Sequence, residues 1–360
     1  MEITKSINPN AAISSKFGIF GLPVSEAEAD IVLVPVPWEV TTSYGAGASW
    51  GPELIRKGSE QVDLFDFETG KAYDAGYFMK DFPTELKNSN DQFKAKAQEL
   101  IGLINSQSED QKRMAQLRSE VNKACDDMVD WVYKQCAEVL KKGKGLGLVG
   151  GDHSTPFGAM KAVSEHYKGD FGVLHIDAHA DLRKAYQGFN HSHASIMNNV
   201  MHAPWKPAKL VQVAIRDFCE EEFDLIKSRK DIRTFFDLEL KSRLLEGMPW
   251  KTLCDEIISE LPKNVYVSFD IDGLDPSFCP HTGTPVPGGL QMDQIYYLFN
   301  QVYKSGRNII AFDVNEVSSG GVNPEDADPW DGNVGARVVY KLCGWLALSR
   351  ERLKKSSARI

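Results

Sequence analysis

Three groups of acids and imidazoles follow apolar runs in this chain. Asp177, His179 and Asp181 stand two residues apart in VLHIDAHADLR; SFDIDGLDP holds Asp270, Asp272 and Asp275, and GGDHS holds Asp152 and His153; Asp313 and Glu316 lie in FDVNEV. Carboxylates gathered in one place repel one another, and burial adds to the cost of their charged form. A polyvalent cation removes that cost. Imidazole and carboxylate donors without thiolate suit manganese, with iron, nickel, cobalt or zinc as alternatives. The candidate ligands outnumber what one ion needs, so two ions sharing bridging carboxylates are expected. An isolated strand-end aspartate instead caps the next helix or accepts backbone N–H bonds, which is the reading for Asp152. His175, inside its apolar run, reads as a packed core histidine.

The elements that must position these groups are legible as short apolar runs at 31–37, 145–150, 171–177, 209–215, 264–270 and 308–314, with a weaker one at 232–236. Most are continuously apolar rather than alternating, as in strands buried on both faces. Between them lie helical patterns, the longest over 112–142, where Met114, Leu117, Val121, Ala124, Met128, Trp131 and Val132 recur at helical spacing. Further helices are expected near 156–168, 219–229, 250–261, 291–305 and 335–350. This alternation predicts an α/β fold with a mostly parallel sheet covered by helices on both faces. In such a sheet ligands bind at the carboxyl ends of the strands, where four runs deliver acids or imidazoles. Residues 1–29 read as an irregular arm broken at NPN and GLP, residues 30–360 as a single domain, and 80–110 as a polar surface stretch.

The formal net charge of the 360 residues is −9, from 41 basic and 50 acidic side chains. That balance argues against nucleic acid and anionic membranes as partners and is compatible with a cationic ligand. Six scattered cysteines with no CxxC pair point to reduced thiols and a cytoplasmic location. No apolar leader opens the chain, and no run is long enough for a transmembrane helix.

GGDHS, DAHADLR and SFDIDGLDPSFCPHTGTPVPGGL resemble the signatures of the arginase–agmatinase family of ureohydrolases, and the similarity continues at VPWEVTTSYGAGASWGP, HSHAS, AIRD and FDVNEV. The resemblance covers most of residues 30–350. It implies a three-layer α/β/α fold, one catalytic domain over 30–360, a trimer or hexamer, and two manganese ions, with nickel or another divalent metal as an alternative. One ion would be held by His153, Asp177, Asp181 and Asp270, the other by Asp177, His179, Asp270 and Asp272. Asp275 is not a family ligand. The resemblance further implies that a metal-bridged hydroxide attacks a guanidino carbon to give urea and an amine. Glu316 would hold the guanidinium and His193, rather than its neighbour His191, would shuttle the proton.

The substrate tail reads as agmatinase-like. Arg183 replaces an asparagine that arginases carry after the last aspartate of DxHxD, and Cys219 replaces the second aspartate of their RDVD. Asn198 and Asn199, where many agmatinase relatives carry arginine, and the unusual His281 leave room for an altered tail or none. Asp326, Asp328, Trp330 and Asp331 are candidates for the mouth. The alternatives are a guanidine hydrolase, an arginase or a guanidino-acid hydrolase. A deacetylase would use fewer carboxylates, and a non-catalytic homologue would have lost a ligand.

Overall fold

The computed structural model describes residues 18–357, so the NPN of the expected arm lies outside the described residues. Among the described residues eight strands form one sheet in the order β2-β1-β3-β8-β7-β4-β5-β6. They are β1 Ile31–Pro35, β2 Tyr77–Met79, β3 Gly145–Val149, β4 Gly172–Ile176, β5 Lys209–Ile215, β6 Ile232–Phe236, β7 Asn264–Asp270 and β8 Asn308–Asn315. Every neighbouring pair is parallel.

Side chains alternate across a strand, and the sheet separates two apolar cores. On one face Ile31, Leu33, Leu174, Ile176, Val265 and Val267 pack with α1 (Gly51–Gly58), α7 (Asp237–Leu245), α8 (Trp250–Ser259), α9 (Met292–Lys304) and α10 (Trp330–Ser357). On the other, Val32, Val34, Val173, Leu210 and Tyr266 pack with α2 (Thr84–Asn105), α3 (Gln111–Lys141), α4 (Phe157–His166) and α5 (Ile196–His202), flanked by α6 (Glu220–Ser228). This is the expected three-layer α/β/α arrangement.

The seven runs read as strands all form strands. The structure adds β2 and the helices α1, α2, α5 and α7, and extends the last helix to 330–357. Part of the stretch read as polar surface is the 22-residue helix α2, which buries Lys87, Asn90, Ala97 and Leu100. Within the expected arm, Ile19, Phe20 and Leu22 are buried, and the Phe20 ring meets Tyr77 and Tyr340 edge-on.

Candidate metal centre

The central strands β3, β8, β7 and β4 lie side by side, and the acids and imidazoles extend from their carboxyl ends. After β3 the chain turns through Gly150 and Gly151. A Cβ on Gly151 would stand 2.0 Å from the Trp38 carbonyl oxygen, so this close approach requires glycine. The turn delivers His153, whose Nδ1 lies 2.9 Å from Asp177 Oδ2, 3.1 Å from Asp270 Oδ2 and 3.5 Å from Asp181 Oδ2. Beside it, His179 Nδ1 lies 3.1 Å from Asp272 Oδ2 and 3.5 Å from Asp177 Oδ1. The six expected ligands therefore converge, with Asp177 facing both imidazoles. His153, Asp177, Asp181, Asp270 and Asp272 are all buried, and His179 is partly exposed.

Backbone donors hold the carboxylates in place. The His179 amide donates to Asp177 Oδ1, the Ala178 amide to Asp272 Oδ1, and the Asp272 amide to Asp270 Oδ1. Arg216 braces the Asp272 segment from below, donating to the carbonyls of Asp272, Leu274, Val286 and Ala214. Asp181 and Glu316 both have positive φ, 55° and 63°. Left-handed backbone at non-glycine residues is strained and tends to occur at functional sites.

The donor set fits divalent cations. Ser268 Oγ donates to Asp313 at 3.0 Å, so it accepts from His153 Nε2 at 2.9 Å. That bond turns His153 Nδ1 toward the three carboxylates, as a metal-ligating imidazole is fixed through its far nitrogen. The ion pairs of the four aspartates run to histidines alone among the described residues. Burial first, then the charge of Asp177, pushes Asp181 well above the usual carboxylate range. Burial, then Asp272 and Asp177, does the same to Asp270. Burial opposes protonation of His179, but Asp272 and Asp177 outweigh it and raise its pKa to about 12. Burial likewise opposes protonation of His153, and its bonds to Asp177 and Asp270 outweigh it. The cluster thus holds protons where a cation would relieve the same repulsion. Ligand atoms of His153, His175, Asp177 and Asp181 lie within 4.8 Å of one another, as do those of Asp177, His179 and Asp272.

Glu316 is buried, and its Oε1 accepts from the His153 amide at 2.9 Å. Burial and the nearby Asp270 raise its pKa well above the ordinary value. Across the cluster opens a pocket of about 150 Å³ lined by residues including Ser43, His179, Asp181, Arg183, His193 and Asp217. Among the described residues His193 Nδ1 is buried without a partner, and burial, then His179, lowers its pKa to about 4. His191 lies in the neighbouring pocket with Asn198 and Asn199, 3.3 Å from Asp126.

The other candidates do other work. Asp152 accepts from the Ser154 amide and hydroxyl, and Asp275 does the same for Ser277, so both secure turns. Asp331 is buried and accepts from the His281 amide, with His281 Nδ1 3.0 Å from its other oxygen. Asp326, Asp328 and Trp330 are exposed and do not line the pocket. His175 is buried as expected, but it is not inert: its Nε2 lies 2.8 Å from Asp177 Oδ2. Strand alternation could have revealed this, because residues 175 and 177 share one face. The same spacing places Ser268 beneath Asp270.

A family model described as the arginase family matches residues 29–342. The N(1)-aminopropylagmatine ureohydrolase of Synechocystis sp. is 30% identical over 334 residues, covering 91% of this chain and 92% of its own. The enzyme of the same name from Thermus thermophilus is 32% identical over 294 residues, covering 82% and 84%. The crystal structure of agmatine ureohydrolase of Thermoplasma volcanium superposes with a TM-score of 0.66 at 21% identity, over 92% of this chain and 94% of that one.

Proposed function

The chain belongs to the arginase family, and from that premise we propose that it is a dinuclear ureohydrolase, a hydrolase of the C–N bonds of linear amidines, converting an agmatine-like cation to urea and an amine. One observation carries the proposal: four buried aspartates and two imidazoles converge at adjacent strand ends, with carboxylates facing both imidazoles and, among the described residues, no lysine or arginine ion-paired to them. His153, Asp177, Asp181 and Asp270 would hold one ion, and Asp177, His179, Asp270 and Asp272 the other. Manganese is the preferred metal, with nickel as the alternative.

When bound, such cations supply the Lewis acidity that turns water into a nucleophile near neutral pH. The protein's own groups orient and protonate. Glu316, deprotonated by a cationic ligand beside it, accepts hydrogen bonds from the guanidinium. His193 is neutral at rest, so it takes up a proton before giving one to the leaving amine. Asp217, exposed at the rim, offers a carboxylate to a cationic tail. The names of the relatives, built on aminopropylagmatine, support the same substrate type.

A second reading, hydrolysis of free guanidine, is favoured by the pocket's small volume of about 150 Å³ and by Arg183 in its wall. The proposal includes one catalytic domain from residue 30 onward, working in the cytoplasm as a homo-oligomer. Exposed Leu238 and Leu245 on α7 would suit an interface between subunits.

The deciding experiment measures urea release from agmatine, arginine, guanidinobutyrate, guanidinopropionate and guanidine after loading with manganese or nickel. Turnover of agmatine is expected. Turnover of guanidine alone would favour the second reading, and two bound metal equivalents with no urea from any of the five would overturn the enzyme assignment.

A further inference from the structure

A row of polar side chains crosses the sheet beneath the metal centre, one from each of five strands. Thr234 on β6 is in register with Gln212 on β5, Gln212 with His175 on β4, His175 with Ser268 on β7, and Ser268 with Asp313 on β8. All five are buried, where polar groups are costly unless hydrogen-bonded.

The bonding of this row fixes the proton on His175. Gln212 Nε2 lies 2.7 Å from the Ala180 carbonyl oxygen. A backbone carbonyl only accepts, so the nitrogen end of the amide must point there. Gln212 Oε1 is then the atom that accepts from Thr234 Oγ1 at 2.9 Å. The same Nε2, 3.0 Å from His175 Nδ1, donates its second hydrogen to that ring nitrogen. His175 Nδ1 is therefore an acceptor, and the ring proton sits on Nε2, 2.8 Å from Asp177 Oδ2.

The geometry points to His175 as a positioning residue and not a third imidazole ligand: Thr234, Gln212 and His175 form a relay that donates a hydrogen bond to the bridging Asp177. Its Nε2 lone pair is taken by the proton and its Nδ1 lone pair by Gln212, so neither is free for a metal. The bond reaches the oxygen of Asp177 that also faces His153, while the His179 amide holds the other oxygen. Both carboxylate oxygens are thus oriented before any cation arrives. Hydrogen-bonded partners of ligating groups change metal affinity by about 10–100-fold when removed. The inference that this orientation serves metal binding rests on the dinuclear reading, but the tautomer does not.

The test has two parts. Nitrogen-15 NMR of histidine-labelled, metal-free protein, with His175→Gln as the assignment control, reads the tautomer directly. A protonated Nε2 with an unprotonated Nδ1 is expected, and the reverse would overturn the relay. The spectrum repeated with zinc, which is diamagnetic, should leave the His175 nitrogens without a metal-coordination shift. Such a shift would make His175 a ligand and end the proposal. In the second part manganese binding is titrated by calorimetry. His175→Phe fills a similar volume without a donor and should weaken binding about 10–100-fold. His175→Gln, whose amide can donate, should recover much of that loss. Unchanged binding in His175→Phe would refute the positioning role, and if that variant fails to fold the wild-type spectra still decide. Should the wild type take up fewer than two equivalents, the dinuclear reading fails while the tautomer measurement stands on its own.

Discussion

His193 combines a buried, unpartnered Nδ1 with a place in the pocket wall. Leaving such an atom unpaired costs about 1–3 kcal/mol, a cost that a bound substrate or water can remove. Its neutral state at working pH suits a group that first accepts a proton. His193→Ala is expected to keep its full metal content while turnover falls at least about 100-fold, the lower end of what a general acid–base group contributes. Metal analysis beside kcat checks this; unchanged turnover would take His193 out of the mechanism. At this scale the sequence was informative where chemistry repeats a pattern. His153, Asp177, His179, Asp181, Asp270 and Asp272 follow apolar runs that must end at one sheet edge, and they do meet there. Gln212 and Thr234 were not legible, because a lone polar residue inside a strand has no pattern of its own. Their meaning comes from register with neighbouring strands that sequence spacing does not supply.

Among the elements, α2 most changes the sequence-based expectation. Its buried face includes Lys87 and Asn90, so an apolar periodicity could not reveal it. Those polar residues are instead matched to the loop after β1. Asn90 Oδ1 accepts from the Glu39 amide at 2.6 Å, Lys87 Nζ stands 4.2 Å from the centre of the Trp50 ring, and Lys94 Nζ lies 2.6 Å from Glu39 Oε1. Glu39 in turn accepts from the Gly47 amide and the Ser49 hydroxyl, closing the loop that carries Ser43 to the pocket. Both members of the Lys94–Glu39 pair are largely buried, with side-chain exposures of 13% and 6%. Removing one charge from such a pair strands the other, at a cost of about 3–5 kcal/mol. Lys94→Met should therefore lower unfolding stability by about 3 kcal/mol in urea titrations, and adding Glu39→Gln should return more than half of it. The loosened loop should also raise KM several-fold with metal content unchanged. A loss below about 1 kcal/mol would mean that water already screens the pair.

For the whole molecule, the excess of buried acid makes folding, protonation and metal binding one coupled problem. Asp181, Asp270 and Glu316 titrate well above the ordinary carboxylate range in the folded protein, and His153 and His179 above the ordinary imidazole range. In the unfolded chain the carboxylates lose their protons near about pH 4 and the imidazoles near about pH 6.5. Above that second value the folded state holds protons the unfolded state has released, so stability falls as pH rises. The contribution of His179 is complete below about pH 6.5 and is lost on the way to its folded value of about 12. Asp177, held well below the ordinary range because its histidine partners outweigh burial, and His193, lowered to about 4, are deprotonated in both states there and do not reverse the sign. Each proton held only by the folded state removes about 1.4 kcal/mol of stability per pH unit. Cations require these ligands deprotonated and expel the protons, while binding the folded state adds stability by mass action. The chelated protein should therefore melt at a lower temperature at about pH 8.5 than at about pH 6.5, and manganese should raise the melting temperature more at the higher pH. Thermal scans with chelator and with excess manganese at both pH values measure the difference. Equal gains at the two values would show that the protons and the cations do not compete for the same site.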